Sequence, residues 1–289
     1  MKNSFGERIF SLFNYLALSL VGIVTLYPFV YILSVSISDV SAVERGAVWL
    51  LPQGFNFSAY ERLISDSSFW LAYRNSLILL AAGTAVNVLL TICAAYPLSR
   101  KRFRGKVIFT FMIAFTMWFK TPMIPFYLMM KTYGMENSIS GLIFGFAVSA
   151  FYVILLRTYF QSVPDALEES AKIDGANDFI IMMRIYIPLS LPAIATIALY
   201  YAVGRWNSYF WAMILLRDDD KIMLQVLLQK LVVQMNLTDQ VGMVGDFGAI
   251  NSETFIYATI VVATLPMLMI YPFVQRYFVK GVMIGAVKG

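Results

Sequence analysis

Two basic residues, Lys120 and Arg205, interrupt stretches that are otherwise apolar, 107–130 and about 190–216. An isolated cation in hydrocarbon costs about 3 kcal/mol even on the gentlest insertion scales. Such a residue pairs with an acid, reaches to the headgroups, or lines a polar path where an anion meets it. The third use has a definite chemistry: a cation at that depth offsets the desolvation of a carboxylate and gives it charge-assisted hydrogen bonds. Near the two cations in sequence stand Trp118, Tyr127, Trp206, Asn207 and Tyr209, which can stack on a ring or hydrogen-bond its hydroxyls. An interfacial belt is the ordinary alternative for these aromatics. Pro122 and Pro125 lack the N–H groups that would bond the carbonyls of Trp118 and Thr121. Backbone loosened in this way persists in a membrane only where it lines protein or water.

The remaining residues restrict the chemistry further. Among 289 residues there is no histidine and one cysteine, Cys93. A His/Cys zinc site, a Ser-His-Asp triad and an internal disulfide are all excluded. Cys93 lies in an apolar run and reads as a small packing residue. Hydrophobic residues make up 60% of the chain and charged residues 13%, against about 25% charged in soluble domains. A soluble body of this size could not cover its surface, so the chain belongs in a membrane. The net charge of +5 points to a membrane surface rather than nucleic acid, because the basic residues cluster beside apolar segments.

These residues must be held by spans. Residues 9–38, 75–99, 137–156 and 254–275 carry no charge, and with the interrupted 107–130 and 190–216 they predict six transmembrane helices. The fold class is all-α and polytopic, a single transmembrane domain over 1–289. A cleaved signal peptide at the start is disfavoured, because 9–38 is longer than any such apolar core. With both termini in the cytoplasm, thirteen of the 22 lysines and arginines fall inside and seven outside, Lys120 and Arg205 being the other two. The dense Arg100–Lys106 cluster lies in a short inner loop, which supports that orientation. On straight helices Lys120 and Arg205 would stand about 20 and 22 Å above the inner ends of their spans.

Two long connections fall outside. Residues 39–74 contain the turn Pro52-Gln53-Gly54 and the interfacial candidates Trp49, Trp70 and Tyr73. Residues 217–253 run from Asp218-Asp219-Asp220 through a helical-period stretch, 222–235, to the glycine-rich 241–250. The inner connection, 162–188, carries local signals of two short helices. Ser162 with Asp165 has the form of a capping pair, and Pro164 suits a first turn. Gly175 can take the left-handed conformation that ends a helix. Asn177 or Asp178 can cap a second helix that Pro188 stops. Ala166, Ser170 and Ala171 permit close approach, and Phe179, Met182 and Met183 offer apolar bulk. On these features alone, an elbow that docks another protein and a linker lying on headgroups stand equal.

Glu169-Ser170-Ala171, then Gly175, then Ile185-Tyr186-Ile187-Pro188 closely resembles the EAA signature of ABC importer permeases, in the loop between the fourth and fifth of six spans. The one departure is Ser170, where the family usually has alanine. Met123-Ile124-Pro125, Gly204-Arg205-Trp206-Asn207 and the stretch from Tyr271 to Gly281 are similar to the carbohydrate-uptake branch. They look most like its second permease, related to the smaller maltose-importer permease. The resemblance runs over nearly the whole chain from about residue 10.

That resemblance implies a type I ABC importer permease fold in a bacterial cytoplasmic membrane. It implies a heterodimer with a second permease, two ATPase subunits carrying ATP and Mg, and an extracytoplasmic solute-binding protein that delivers an oligosaccharide. The coupling residues would be Glu169, Ala171, Gly175, Phe179, Met182, Ile185 and Pro188. The substrate path would be lined by Lys120, Arg205, Trp118, Tyr127, Trp206, Asn207 and Tyr209. Lys120 favours an acidic cargo such as an oligouronide, of the alginate type. An arginine before Trp-Asn recurs in such permeases and says less. The chain has no Gly-x-x-x-x-Gly-Lys-Ser/Thr loop, so it is read as a non-catalytic subunit that binds no cofactor. The tail Lys280–Gly289, with three glycines, is not expected to hold a helix alone, and in the family it would reach between the ATPases. Permeases for neutral sugar, phosphate or amino acid remain alternatives, as does an ion-coupled carrier or channel. The core spans contain no Asp or Glu and no internal repeat, which weighs against the carrier and against a membrane enzyme.

Overall fold

The computed structural model describes residues 5–241 and 253–286. The glycine-rich stretch from residue 242 onward and the last three residues lie outside that range. Three helices are long and apolar enough to cross a membrane unaided: Phe5–Ser36, Ser67–Ser99 and Glu253–Ala286. Three further pairs of helices are apolar enough to cross together but are bent. Lys106–Trp118 and Met123–Thr132 meet at 117°, Ile139–Gly145 and Ala150–Gln161 at 53°, and Asp178–Leu189 and Leu191–Trp206 at 82°. Counting each pair once gives six spans. An all-helical answer is what hydrocarbon imposes, because each helix satisfies its own backbone groups.

Two compact units can be distinguished, Met1–Trp70 with Leu227–Leu265, and Leu71–Val226 with Pro266–Gly289. In the first, the loop after the long N-terminal helix is tied back by hydrogen bonds. Ser38 bonds the Ser34 carbonyl at 2.6 Å, and Ser34 bonds the Leu50 carbonyl at 2.7 Å. Gly54, at φ +65°, makes the turn expected there. Val35, Ala42, Val43 and Val48 form its small core, against which Tyr31 and Tyr257 pack edge to face.

The second unit has an inner core under the elbow, including Tyr96, Leu156, Phe160, Ile181, Tyr186 and Ile197. An outer core is built on Leu79, Met130, Leu142, Ala212 and Leu215. Asn137, at φ +52°, helps fasten the outer end: its N–H donates to the Leu215 carbonyl at 2.7 Å, and its Oδ1 accepts the Arg217 N–H at 3.0 Å. The segment 222–235 is helical from Leu224 on, as its period predicts, within Leu224–Val241.

Several expectations are corrected. The stretch 107–130 unwinds over Phe119–Pro122, as its prolines lead one to expect, but Pro125 sits harmlessly in the first turn of the helix that follows. The stretch 190–216 breaks after Trp206, and a short helix resumes at Tyr209–Leu215. Cys93 is exposed rather than packed. The tail continues as helix to Ala286, because a helix already nucleated adds one bond per residue and tolerates isolated glycines.

The break between Gly145 and Ala150 leaves carbonyls without helical partners inside the apolar zone, where water cannot serve them. Arg205 supplies the donors. Its Nε donates to Asn87 Oδ1 at 2.8 Å, and Nη1 to the Leu142 carbonyl at 2.6 Å. Nη2 donates to the carbonyls of Ile143 and Phe146 at 2.9 and 2.8 Å. Asn87 adds bonds to the carbonyls of Phe146 and Ala147 at 2.8 and 2.7 Å. Arg205 is only 7% exposed, so these neutral oxygens take the place of solvent around its charge.

The side chain reaches them by passing the backbone of the second span at Gly83. A Cβ there would lie 2.9 Å from Arg205 Nε and 3.1 Å from Cδ. The guanidinium is pinned at its far end, so it has little room to yield. Gly83→Ala is expected to destabilise the folded chain by about 1–3 kcal/mol through overpacking. A lowered thermal midpoint in detergent checks this; a midpoint equal to the parent's would show that the arginine moves aside freely.

Candidate functional site

The inner connection folds as an elbow. Its first helix, Asp165–Ile173, ends in a glycine turn: Gly175 has φ +80°, its N–H bonds the Lys172 carbonyl at 3.1 Å, and the Ala176 N–H bonds the Ala171 carbonyl at 2.9 Å. This double bond pattern is what a left-handed C′ residue permits. Asn177 caps the second helix, its Oδ1 accepting the Ile180 N–H at 2.9 Å. The expected pairing of Ser162 with Asp165 is not formed. Ser162 ends the preceding helix and donates to the Tyr159 carbonyl at 2.7 Å, while Asp165 pairs with Lys101.

Pro188 does not stop the second helix either. Met182–Tyr186 widens into a π turn in which the Ile187 N–H bonds the Met182 carbonyl. The wider turn absorbs the proline's missing donor and the crowding of its ring against the residue four back. The helix runs on to Leu189 and bends at Ser190.

A half-buried ionic tie holds the elbow to the loop after the second span. Arg100 Nη1 donates to Glu168 Oε2 at 2.6 Å and also reaches the Tyr186 hydroxyl. Arg100 Nη2 caps the Phe160 carbonyl at 3.2 Å, and Tyr186 donates to the same Glu168 oxygen at 3.2 Å. Lys172 pairs with the other Glu168 oxygen. Burial alone would push the Glu168 carboxyl up, but bonds from Lys172 and Arg100 outweigh it and hold the group below its usual value of 4.5. The sequence reading missed Glu168 and Tyr186. The i,i+4 spacing of Glu168 and Lys172 was a readable sign, whereas the reach from Arg100 was not.

The opposite side of the elbow is unpartnered. Ile173 is 86% exposed and Phe179 66%, with Glu169, Gly175, Met183 and Pro188 also exposed. Beside them is a depression of about 390 Å³ lined by Ala171, Gly175, Ala176, Ile180, Arg184 and Ile185 among others. Ala171 and Ile185 are half-buried against the inner core. Met182, expected with Met183 as outward apolar bulk, is buried in that core instead, while Met183 is exposed as expected.

The residues expected along the path fall into separate groups. Trp118 and Lys120 are exposed at the break of the third span, and neither is joined by a hydrogen bond or ring contact to Trp206, Asn207 or Tyr209. Tyr127 faces Glu136 at 3.2 Å and accepts a bond from Arg217. Trp206 is 3% exposed, its ring edge-to-face with Tyr73 at 6.0 Å, which withdraws it from any path in this conformation. Asn207 turns its amide back to the Val203 carbonyl at 3.0 Å, and Tyr209 is exposed beside Phe210. Arg205 is held without a partner acid or the headgroups, since four of its five donors are taken by carbonyls and Asn87. It does stand in the wall of a cavity of about 340 Å³ with Tyr152, Tyr200 and Trp211.

Residues 87–284, which include this elbow, match the family described as binding-protein-dependent transport system inner membrane component. The chain belongs to that family. As such a permease it is a non-catalytic membrane subunit with the type I ABC permease fold. It is similar over its whole length to YtcP of Bacillus subtilis (strain 168), a polygalacturonan/rhamnogalacturonan transport system permease protein, at 39% identity over 295 residues, 100% of each chain. A solved bacterial ABC transporter involved in the import of the acidic polysaccharide alginate contains a chain 44% identical to it, with TM-score 0.88, covering 96% of this permease and 99% of that chain. A bacterial alginate ABC transporter solved with an alginate pentasaccharide-bound periplasmic protein has a chain with TM-score 0.59 at 17% identity, over 95% and 96% of the two chains, and shares the fold alone.

Glu168→Gln in this permease keeps the shape but removes the charge facing Arg100 and Lys172, and is expected to cost about 1–3 kcal/mol of stability. Because the folded carboxyl titrates below 4.5, its contribution is full above that pH and is lost as pH falls through the lowered value. Melting curves of parent and variant in detergent should therefore differ at pH 7 and converge only in acid below 4.5. Coincident curves at neutral pH would show that the tie carries no stability.

Proposed function

We propose that this chain is the second permease of an ABC importer that moves an acidic oligosaccharide, rich in uronate, into the cytoplasm. It pairs with another permease in a bacterial cytoplasmic membrane, above two ATPase subunits that hold ATP and Mg, and takes cargo from an extracytoplasmic solute-binding protein. Residues 1–289 act as one permease domain with both termini in the cytoplasm, which the inner bias of lysine and arginine supports. One observation carries the cargo class: two relatives similar over nearly the entire chain are described by acidic polysaccharides, polygalacturonan/rhamnogalacturonan and alginate. Lys120 agrees with it, as an exposed cation where the third span unwinds.

The elbow is the lever. Glu169, Gly175, Phe179 and the half-buried Ala171 and Ile185 seat on an ATPase, with Pro188 and Met182 shaping the helix behind them. When the ATPases close on ATP, the push passes through the Arg100–Glu168–Tyr186 tie to the spans on either side. Trp118, Tyr127, Asn207 and Tyr209 supply stacking and hydroxyl contacts along the path, and Trp206 does so only after leaving its present packing.

Gly175→Val places a β-branched residue at φ +80°, where it is strongly disfavoured. The assembled complex should insert normally, yet ATP hydrolysis stimulated by the loaded binding protein should fall about tenfold, equivalent to roughly 1.4 kcal/mol on the barrier. Normal stimulation by the variant complex refutes the lever. Lys120→Met should lower uptake of a galacturonate trisaccharide into proteoliposomes about tenfold, the worth of one charge-assisted hydrogen bond, without affecting assembly. Unchanged uptake would leave outward snorkelling as the better account of this lysine.

A further inference from the structure

The cavity beside Arg205 has features that packing does not require. About 340 Å³ in volume, it is lined by Tyr152, Tyr200, Tyr201, Ser208 and Trp211 among others, with Arg205 in its wall. Tyr152 and Tyr200 stack nearly parallel, 5.9 Å apart and 8° from coplanar, and Tyr201 meets Tyr152 edge-on at 4.7 Å. The three hydroxyls are treated differently. Tyr201 is fixed between Thr91 at 2.8 Å and the Ser149 N–H at 3.0 Å, whereas the hydroxyls of Tyr152 and Tyr200 have no hydrogen-bond partner among the described residues. Bare hydroxyls in a membrane-spanning region are costly unless water or a ligand reaches them.

Arg205 is incomplete in a complementary way. A guanidinium has five N–H groups, and four are taken by Asn87 and three carbonyls, all of them neutral. One Nη1 hydrogen has no acceptor among the described residues. No carboxylate pairs with the group there, so carbonyl dipoles solvate the cation without cancelling its charge. A cavity of this size holds a short piece of a chain rather than a whole oligosaccharide.

We propose that this cavity is a binding subsite for a single uronate unit of the cargo. The sugar ring stacks on the exposed face of Tyr200, its hydroxyls meet those of Tyr152 and Tyr200, and its carboxylate answers the charge of Arg205. The proposal rests on the importer reading above and adds a location for acid recognition apart from Lys120. Arg205 thereby serves twice, holding the broken fourth span and setting charge preference.

The test uses the complete importer in proteoliposomes, with galacturonate and mannuronate trisaccharides and the same trisaccharides with their carboxyls reduced to hydroxymethyl groups. The readout is the ratio of acidic to neutral uptake. The parent should prefer an acidic form. Ser208→Asp, which places a carboxylate in the cavity beside Arg205, should lower the ratio about tenfold, one charge-assisted bond. Tyr200→Ala should lower uptake of both forms by removing the stacking surface. Arg205→Gln should also flatten the ratio, and Ser208→Asp keeps the test open if loss of the clamp prevents assembly. A parent that prefers acid while Ser208→Asp keeps the full ratio, or Tyr200→Ala keeps full uptake, overturns the subsite and leaves the importer reading standing. A parent with no acid preference overturns the acidic-cargo reading and the subsite together. A parent with no ATP-driven uptake overturns the importer reading itself.

Discussion

An arginine inside a membrane lacks acceptors, and a helix broken inside a membrane leaves acceptors bare; in this permease each deficit is met by the other. Arg205 and Asn87 between them bond the carbonyls of Leu142, Ile143, Phe146 and Ala147. Without those donors the bend at residues 145–150 would expose several carbonyls to hydrocarbon, at a cost that no amount of side-chain packing recovers. The bend in turn leaves space beside Tyr152 and Tyr200. The absence of a side chain at Gly83 is part of the same arrangement, since it lets the arginine cross the second span. Irregular backbone, buried charge and cavity are thus one structural solution.

The inner end solves a different problem. A lever transmits a push only if it does not bend where it joins what it moves. The elbow has one deliberate hinge, at Gly175, and its inner side is fixed by ionic and hydroxyl contacts to the second and fourth spans through Arg100, Glu168, Tyr186 and Phe160. Arg157 adds a bond from the fourth span to the Leu98 carbonyl at 3.1 Å. A half-buried ion pair of this sort is a weak source of net stability. It is directional, however, and it fixes how the helix is set against its neighbours. The outer side of the elbow keeps its apolar surface bare, which suits a surface meant to be covered by another chain.

What the sequence revealed follows the range of the interactions. Gly175 and Asn177 were readable because turns and caps are decided within a few residues. The spans were readable from the spacing of charges, and the break at Phe119–Pro122 from its prolines. Ser162 was misjudged because two local roles competed, ending one helix or starting the next, and the first won. Met182 was placed outward together with Met183, and only the tertiary packing turns it into the core beneath the elbow. The partners of Arg205 lie 118, 63 and 62 residues away. No local pattern encodes such a contact, so the sequence alone set Arg205 apart from Lys120 only by its place before Trp-Asn and not by its partners.

The difference between those two cations is informative about selectivity. Lys120 stands exposed on an unwound segment, with three rotatable donors on a flexible stem. Arg205 is fixed in a planar fork with most of its donors already engaged. A flexible, uncommitted cation lowers the barrier for any passing anion and discriminates little among them. A fixed cation with one remaining donor, set beside stacked rings, rewards a carboxylate only when the sugar bearing it also fits. Attraction without tight holding is what a conduit needs, because a cargo bound too strongly at any one level would not move on. If both line the path as proposed, dividing the positive charge between a loose lysine and a largely satisfied arginine would keep each interaction modest while the path as a whole favoured acidic chains.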